Sequence, residues 1–225
     1  MADQEGQEAS ASRPERYRTP AGTVQREIEV KRSIFVATVG HAPDVEAADA
    51  LIQQVRETYG DANHNAWAYR IDDGPHGRLG FSDDGEPGGT AGRPMLAVLD
   101  GSGLLEVAAV VTRYFGGTKL GTGGLVRAYG GAVREALAIL PTVERVLHHV
   151  ARITVDYALL GTLQYTLPRH GVRIEGEAFA EKATLDIAVP ASRTAEVADV
   201  LRELTNGQLL LHEHWIEERY VMSQE

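Results

Sequence analysis

The segment Val107–Tyr129 constrains this chain more than any other stretch. A β-branched apolar run delivers Arg113 into a glycine-dense loop carrying Lys119, and the residues beyond read as a helix. Strand, loop and helix in that order bring a helix start, backbone freedom and positive charge to one place. Chains build anion-binding concavities in this way. Between Val107 and Arg134 there are four basic residues and no Asp or Glu, in a protein whose formal net charge is -10.

The loop Gly116–Gly124 holds five glycines in nine residues, which permits φ > 0 and close backbone approach to a ligand. Lys119 supplies a point charge, and Thr118 and Thr122 supply hydroxyls and candidate N-caps. It is not a Walker loop: Gly116 and Gly121 have the right separation, but Thr122 stands where the lysine should follow. It is not G-x-G-x-x-G either. The plain alternative is a tight strand-to-helix turn with no ligand. In the helix, expected from about Gly123 to Leu140, the apolar stripe is Leu125, Tyr129, Val133, Ala136 and Leu140. Arg127 and Arg134 fall on the opposite face. Adjacent Gly130 and Gly131, each unfavourable in a helix interior, predict close approach by a packed element or by a partner's backbone. The candidate anion- or nucleic-acid-binding set is therefore Arg113, Gly116, Gly117, Lys119, Gly121, Thr122, Gly123, Gly124, Arg127 and Arg134.

A second candidate cluster is acidic. Asp72–Gly92 reads as a long polar, glycine-rich loop, and loops of that length tend to be functional or disordered. It offers Asp83, Asp84 and Glu86, with His64 and His76 as nearby imidazoles. Hard oxygen ligands at this density could hold Mg²⁺ or act as general acid or base. The alternative is turn chemistry with salt bridges to Arg78, Arg93 or Arg113. If the acidic and basic loops face one cleft, the arrangement is the one phosphoryl-handling sites use. Trp67 and Tyr69 share a strand face, and Tyr114 and Phe115 flank the glycine loop; such aromatics are core residues or base-stacking platforms. No Ser-His-Asp order, G-x-S-x-G or zincin spacing occurs, and no metal is assigned. His148-His149 and His212-x-His214 read as surface or strand residues.

At 225 residues the chain suggests one large domain or two small ones. No apolar run approaches the ~18 residues of a membrane span. The absence of cysteine excludes disulfides, thiolate nucleophiles and Cys-ligated zinc, and fits the cytosol. Split near Arg145, each half carries a net charge of -5, so any nucleic-acid contact must be local. Residues 1–19 are expected to be a disordered tail and not a signal peptide. Strands over Val24–Val30 and Ser33–Val39 make a hairpin about Lys31-Arg32. A helix runs from Pro43 to about Tyr59, a strand over Asn65–Ile71 and a short helix over Arg93–Leu99. Pro141 closes a first domain spanning 20–141. Over 146–221 the order is βαββαβ, the ferredoxin-like split unit. Its elements are Val150–Asp156, Leu159–Arg169, Val172–Phe179, Ala183–Val189, Ser192–Leu204 and Leu209–Ile216.

The series Asp61–His64, Trp67–Tyr69, Asp83–Pro87, Gly89–Gly92, Thr112–Gly117 and Leu120–Tyr129 closely resembles the IMPACT family, in its bacterial YigZ branch. The match covers about Gly22 to Leu140, and the βαββαβ portion is similar to that branch's second domain. The resemblance implies an α+β protein of two domains. The first would be a ribosomal-protein-like, GHMP-kinase-like βα domain. The second would be ferredoxin-like and resemble the last domain of elongation factor G. The resemblance also implies a place in translation, since eukaryotic relatives act in translational control by competing for the activator of a starvation-sensing kinase. The chain departs from the family at Asn65-Ala66, where His-Cys is common, at Gly88, often Ser, and at Arg93, often Lys. The first departure removes a thiol and an imidazole from any metal site there.

Residues and resemblance together predict a cytoplasmic, translation-associated regulatory protein, a binder more than an enzyme. It would dock on RNA, the ribosome or a translation factor through the basic glycine loop. No cofactor is expected beyond a phosphate or Mg²⁺ that the loops could hold. The alternative is a phosphoryl or phosphodiester enzyme using the glycine loop with the acidic loop, whose metal-dependent turnover Asp84→Asn would abolish.

Overall fold

A computed structural model describes residues 14–71 and 77–222, apart from the side chains of 212 and 213. It divides into two compact units, Tyr17–Val143 and a second that begins at Glu144 and includes Pro14–Arg16. Among the described residues there are five α-helices, none long and apolar enough to cross a membrane.

In the first unit, β2 (Val24–Val30) and β3 (Ser33–His41) form the expected hairpin, with Val30 opposite Ser33. A two-residue connection that follows the strand twist needs positive φ at both central residues. Lys31 and Arg32 adopt 50° and 68°. Helix α1 (Val45–Thr58) starts just after Pro43 because Asp44 caps it, accepting from the Ala47 amide at 2.7 Å. With β4 (His64–Ile71), β5 (Arg78–Ser82) and β6 (Val107–Tyr114) the sheet order is β2-β3-β6-β4-β5, antiparallel throughout. Central β6 is buried along almost its whole length, which explains its uninterrupted apolar run. Helices α2 (Gly92–Gly101) and α3 (Thr122–Leu137) contribute Met95, Leu99, Tyr129 and Val133 to the core that also holds Phe35. Helix α1 sets Ala48 against Ala108, and Ile52 and Val55 against Val110.

Three expectations need correction here. Asp72–Gly92 is not loop throughout, because β5 pairs with β4 and places Gly80 opposite Tyr69. A Cβ at Gly80 would lie 2.2 Å from Tyr69 Cζ, so only glycine lets that ring cross the edge strand. Asp72–His76, His76 included, lie outside the described residues. Residues 1–13 of the expected tail lie outside the described residues, but its end forms β1 (Arg16–Pro20), in which Tyr17 and Thr19 are buried. Tyr17 donates its hydroxyl to Glu106 Oε1 at 2.6 Å, and Leu105 N donates to Arg18 O. Helix α3 ends at Leu137, short of Leu140; the five expected stripe residues are all buried, but close approach by a packed element of this chain does not explain the glycine pair. A Cβ at Gly130 would meet Val98 Cγ2 at 3.5 Å, and one at Gly131 would meet Ile28 Cδ1 at 4.0 Å, ordinary contact distances.

The second unit follows the βαββαβ order. It comprises β7 (Thr142–Val155), α4 (Tyr157–Thr166), β8 (Arg173–Phe179), β9 (Ala183–Pro190), α5 (Thr194–Leu204) and β10 (Trp215–Met222). Strand pairing sets β10-β7-β9-β8 side by side, all antiparallel, as the ferredoxin-like arrangement requires. Ile153, Leu163, Leu185, Ile187, Val197 and Leu201 form its core. The last strand begins later than its apolar pattern indicated, because Leu211–His214 takes a short 3-10 turn first.

Candidate functional site

Strand β6 ends at the edge of the sheet where β4 begins, so Arg113 stands opposite His64. The acidic turn and the glycine loop enclose that end. Between them is a cleft of about 490 Å³ whose lining includes Asn63, His64, Glu86, Arg113, Phe115, Lys119 and Thr122. The acidic and basic loops therefore do face one cleft.

Its floor is a buried polar cluster. Glu86, 8% exposed, accepts on Oε1 from Arg113 Nη1 at 2.6 Å and from the Tyr129 hydroxyl at 2.7 Å. His64 Nε2 lies 3.9 Å from the same oxygen. Arg113, 6% exposed, has its guanidinium carbon 5.6 Å from the ring centroids of both Phe35 and Phe115. Its Nε has no partner among the described residues. Burial, and then the adjoining Glu86 carboxylate, push the Tyr129 phenol far above its ordinary range, so it stays protonated and donates. Of the two roles expected of Arg113, the salt bridge to the acidic loop is the one made: beside Phe35 it pairs with Glu86, while it still lines the cleft.

The glycine loop forms one wall. Gly116 donates its amide to Ser33 Oγ at 3.1 Å, and a Cβ there would fall 2.0 Å from the backbone carbonyl of Arg32. The loop thus rests on the β2–β3 turn, and Arg32 Nη2 donates to Thr118 Oγ1 at 2.9 Å. Sequence reading missed Arg32, because nothing local signals a contact between positions 86 residues apart. Gly121, at φ 71°, is the N-cap of α3, with no side-chain cap hydrogen bond. The capping expected of Thr118 or Thr122 is thus not made. The first intrahelical bond runs from Leu125 N to Gly121 O at 3.0 Å. The N–H groups of Thr122, Gly123 and Gly124 precede it and carry the positive end of the helix dipole. Lys119 is exposed beside them. Arg127 and Arg134 are exposed on α3 but do not line the cleft; nor do Gly116, Gly117, Gly123 and Gly124.

The acidic cluster divides. Asp83 accepts on Oδ1 from the amides of Ala91 (2.9 Å) and Gly92 (2.8 Å) and on Oδ2 from Gly89 (2.7 Å), fixing the start of α2. Burial opposes its ionisation, but those three amides outweigh burial and hold the carboxyl below its ordinary value. Asp84, at φ 46°, accepts from Arg56 Nη2 at 2.7 Å and from Asn65 N at 2.6 Å, and its carbonyl meets His64 Nδ1 at 2.8 Å. Neither aspartate lines the cleft; Glu86 and His64 do. Among the described residues no three His, Asp or Glu side chains gather as a metal site. Asn65 and Ala66, where the family pattern changes, are also turned inward. Thr112 donates to Asn65 Oδ1 at 2.7 Å, and Ala66 is fully buried in the core. Trp67 and Tyr69 stack at 5.6 Å and pack against the α1 side of the sheet, whereas Phe115, 48% exposed, is the aromatic at the cleft.

An Impact N-terminal domain matches residues 31–137, and a domain of unknown function, DUF1949, matches residues 153–208. The IMPACT family member YigZ of Escherichia coli (strain K12) is 41% identical over 199 residues, covering 88% of this chain and 97% of that protein. A crystal structure of a hypothetical protein superposes with a TM-score of 0.61 at 37% identity, covering 94% of this chain and 99% of that one. The two-domain translational regulator Yih1 aligns over 61% of this chain and 53% of its own, at a TM-score of 0.34 and 24% identity, too distant to support a functional argument. With nearly the whole of YigZ matched at 41% identity, and both domain types in order, the chain belongs to the IMPACT family.

Proposed function

We propose that this chain is a translation-associated binding protein that docks on RNA or the ribosome through the glycine-loop wall of the cleft. One observation carries the reading. The α3 N-terminus, without a side-chain cap, and Lys119 share a cleft whose carboxylate, Glu86, is already neutralised by Arg113. A phosphate oxygen would accept from the leading amides of α3 and from Lys119, with no unpaired carboxylate opposing it. Phe115 offers a stacking face for a neighbouring base, a contact worth about 1–3 kcal/mol in single-strand binders. Exposed Arg127, Arg134 and Arg32 would extend the basic surface in a chain of net charge -10. The likeness to a family whose eukaryotic members act in translational control directs the reading to the translation apparatus. Ribosome co-sedimentation from cell extract tests it: wild type should pellet with ribosomes, and Lys119→Ala/Arg127→Ala should pellet less at the same salt. Absence of wild type from the pellet at low salt would refute it.

A second reading has an observation of its own. Glu86 and His64 line the same cleft as Lys119, as phosphoryl or phosphodiester chemistry would require. Asp83 and Asp84 are engaged elsewhere, so His64→Ala is the informative variant. Turnover of a phosphodiester by wild type with Mg²⁺, abolished in that variant, would favour this reading over docking.

A further inference from the structure

The second unit holds a cleft of about 600 Å³ whose lining includes Arg16, Val146, His148, Arg173, Ile174 and Arg193. All of its lining residues belong to that unit. Three are arginines, one is a histidine and none is Asp or Glu, in a chain with 32 acidic against 22 basic residues. Random placement of charge would favour a carboxylate there.

Each arginine retains donors with no partner among the described residues. Arg193 gives Nε and Nη2 to Glu196, both at 2.8 Å, and its Nη1 passes 3.4 Å from the place a Cβ on Gly171 would occupy. Arg173 gives Nη2 to the Met222 carbonyl at 2.9 Å. Arg16 has a side chain 61% exposed, with Glu144 at 3.5 Å. His148 is 6% exposed. Its Nδ1 lies 2.9 Å from the Val146 carbonyl, so that nitrogen carries the proton. Its Nε2 has no hydrogen-bond partner among the described residues. Burial, reinforced by Arg173, Arg219 and His149 against the Val146 carbonyl, holds the imidazole below its ordinary range. Nε2 of the neutral ring is then an acceptor.

We infer that this cleft is a second binding site, for a phosphate group held by the guanidinium forks of Arg16, Arg173 and Arg193. Planar guanidiniums match phosphate oxygens in pairs, and His148 Nε2 accepts from a protonated phosphate oxygen or from a sugar hydroxyl beside it. A volume of about 600 Å³ holds a nucleotide-sized ligand, so the phosphate belongs either to free inorganic phosphate or to a ribonucleotide. The site is independent of the glycine loop and of any reading placed on it.

The test follows the histidine-ring NMR signals of the full chain at pH 7 during titration with inorganic phosphate and, separately, with a 5′-ribonucleoside monophosphate. A saturable shift of the His148 signals is expected. Arg16→Ala/Arg193→Ala should weaken it about tenfold or more, as the loss of charge-assisted hydrogen bonds implies. Lys119→Ala should leave it unchanged. Arg16→Glu, a charge reversal at an exposed position, should weaken it without touching the Arg193–Glu196 pair. A tighter nucleotide identifies a nucleotide as the source; equal affinity identifies the phosphate group alone. No saturable shift with either probe, or unchanged affinity in both arginine variants, overturns the inference.

Discussion

Replacing Glu86 by alanine removes the carboxylate oxygen that lies 2.6 Å from Arg113 Nη1 and 2.7 Å from the Tyr129 hydroxyl. Tyr129 is fully buried and Arg113 is 6% exposed, so both donors lose a buried acceptor. Breaking a buried ion pair from one side costs about 3–5 kcal/mol. An orphaned buried hydroxyl adds about 1–3 kcal/mol. The sum, about 4–8 kcal/mol, approaches the whole stability of a typical domain, about 5–15 kcal/mol. Glu86→Gln keeps an acceptor for both donors and loses only the charge, so it should cost about half as much. Tyr129→Phe should cost about 1 kcal/mol. The two tryptophans, Trp67 and Trp215, fall in different units, so urea unfolding followed by fluorescence in a Trp215→Phe background reports on the first unit. In the double variant Glu86→Ala/Tyr129→Phe the losses should fall short of additivity by about 1 kcal/mol or more, since Tyr129→Phe removes the hydroxyl that Glu86→Ala orphans. A Glu86→Ala loss below about 1 kcal/mol, or strict additivity in the double variant, would refute the buried cluster as the organiser of the cleft.

Asp83→Ala should cost about 2 kcal/mol, because three amides at the start of α2 lose their acceptor. The folded-state pKa of Asp83 is depressed, so its contribution is complete above the unfolded value near 3.8 and is lost as pH falls through the folded one. Acid titration of unfolding free energy should therefore be shallower in Asp83→Ala below about pH 4; an unchanged acid limb would contradict this. Gly116→Ala and Gly131→Ala should behave oppositely. A Cβ at 116 meets Arg32 backbone at 2.0 Å and must displace the loop, lowering the melting temperature. A Cβ at 131 meets nothing nearer than 4.0 Å, so helix propensity should stabilise that variant by about 0.5–1 kcal/mol. Destabilisation by Gly131→Ala would mean that something approaches the glycine pair after all.

Much of the fold is legible because local patterns and tertiary roles agree. Lys31-Arg32 between two alternating runs announces the hairpin, and the stripe from Leu125 to Leu140 announces the buried face of α3. The failures arise where a residue's role is set by a distant partner. β5 is hidden because Gly80 reads as loop, yet glycine is needed where Tyr69 crosses the edge strand. β1 is hidden in a polar segment whose Tyr17 finds its partner, Glu106, 89 residues away. The same cause divides the site. Lys119 and Thr122 reach the cleft as expected, because the strand–loop–helix that places them is local. Arg113 reads either as an anion-binding cation or as a salt-bridge partner of the acidic loop, and only the contact with Glu86, 27 residues earlier, decides for the second. Asp83 and Asp84 read either as ligands or as turn and salt-bridge residues, and the amides and Arg56 that occupy them decide for the second.

Docking through the glycine loop is tested most directly by the salt dependence of binding to purified ribosomes, with wild type and Lys119→Ala/Arg127→Ala compared by co-sedimentation. If these two cations each contact a phosphate of single-stranded RNA, the wild-type plot of log affinity against log salt should fall steeply. The variant's slope should then be shallower by roughly 1.4, about 0.7 per contact. A flat wild-type response, or equal slopes for the two proteins, would contradict phosphate docking at this loop.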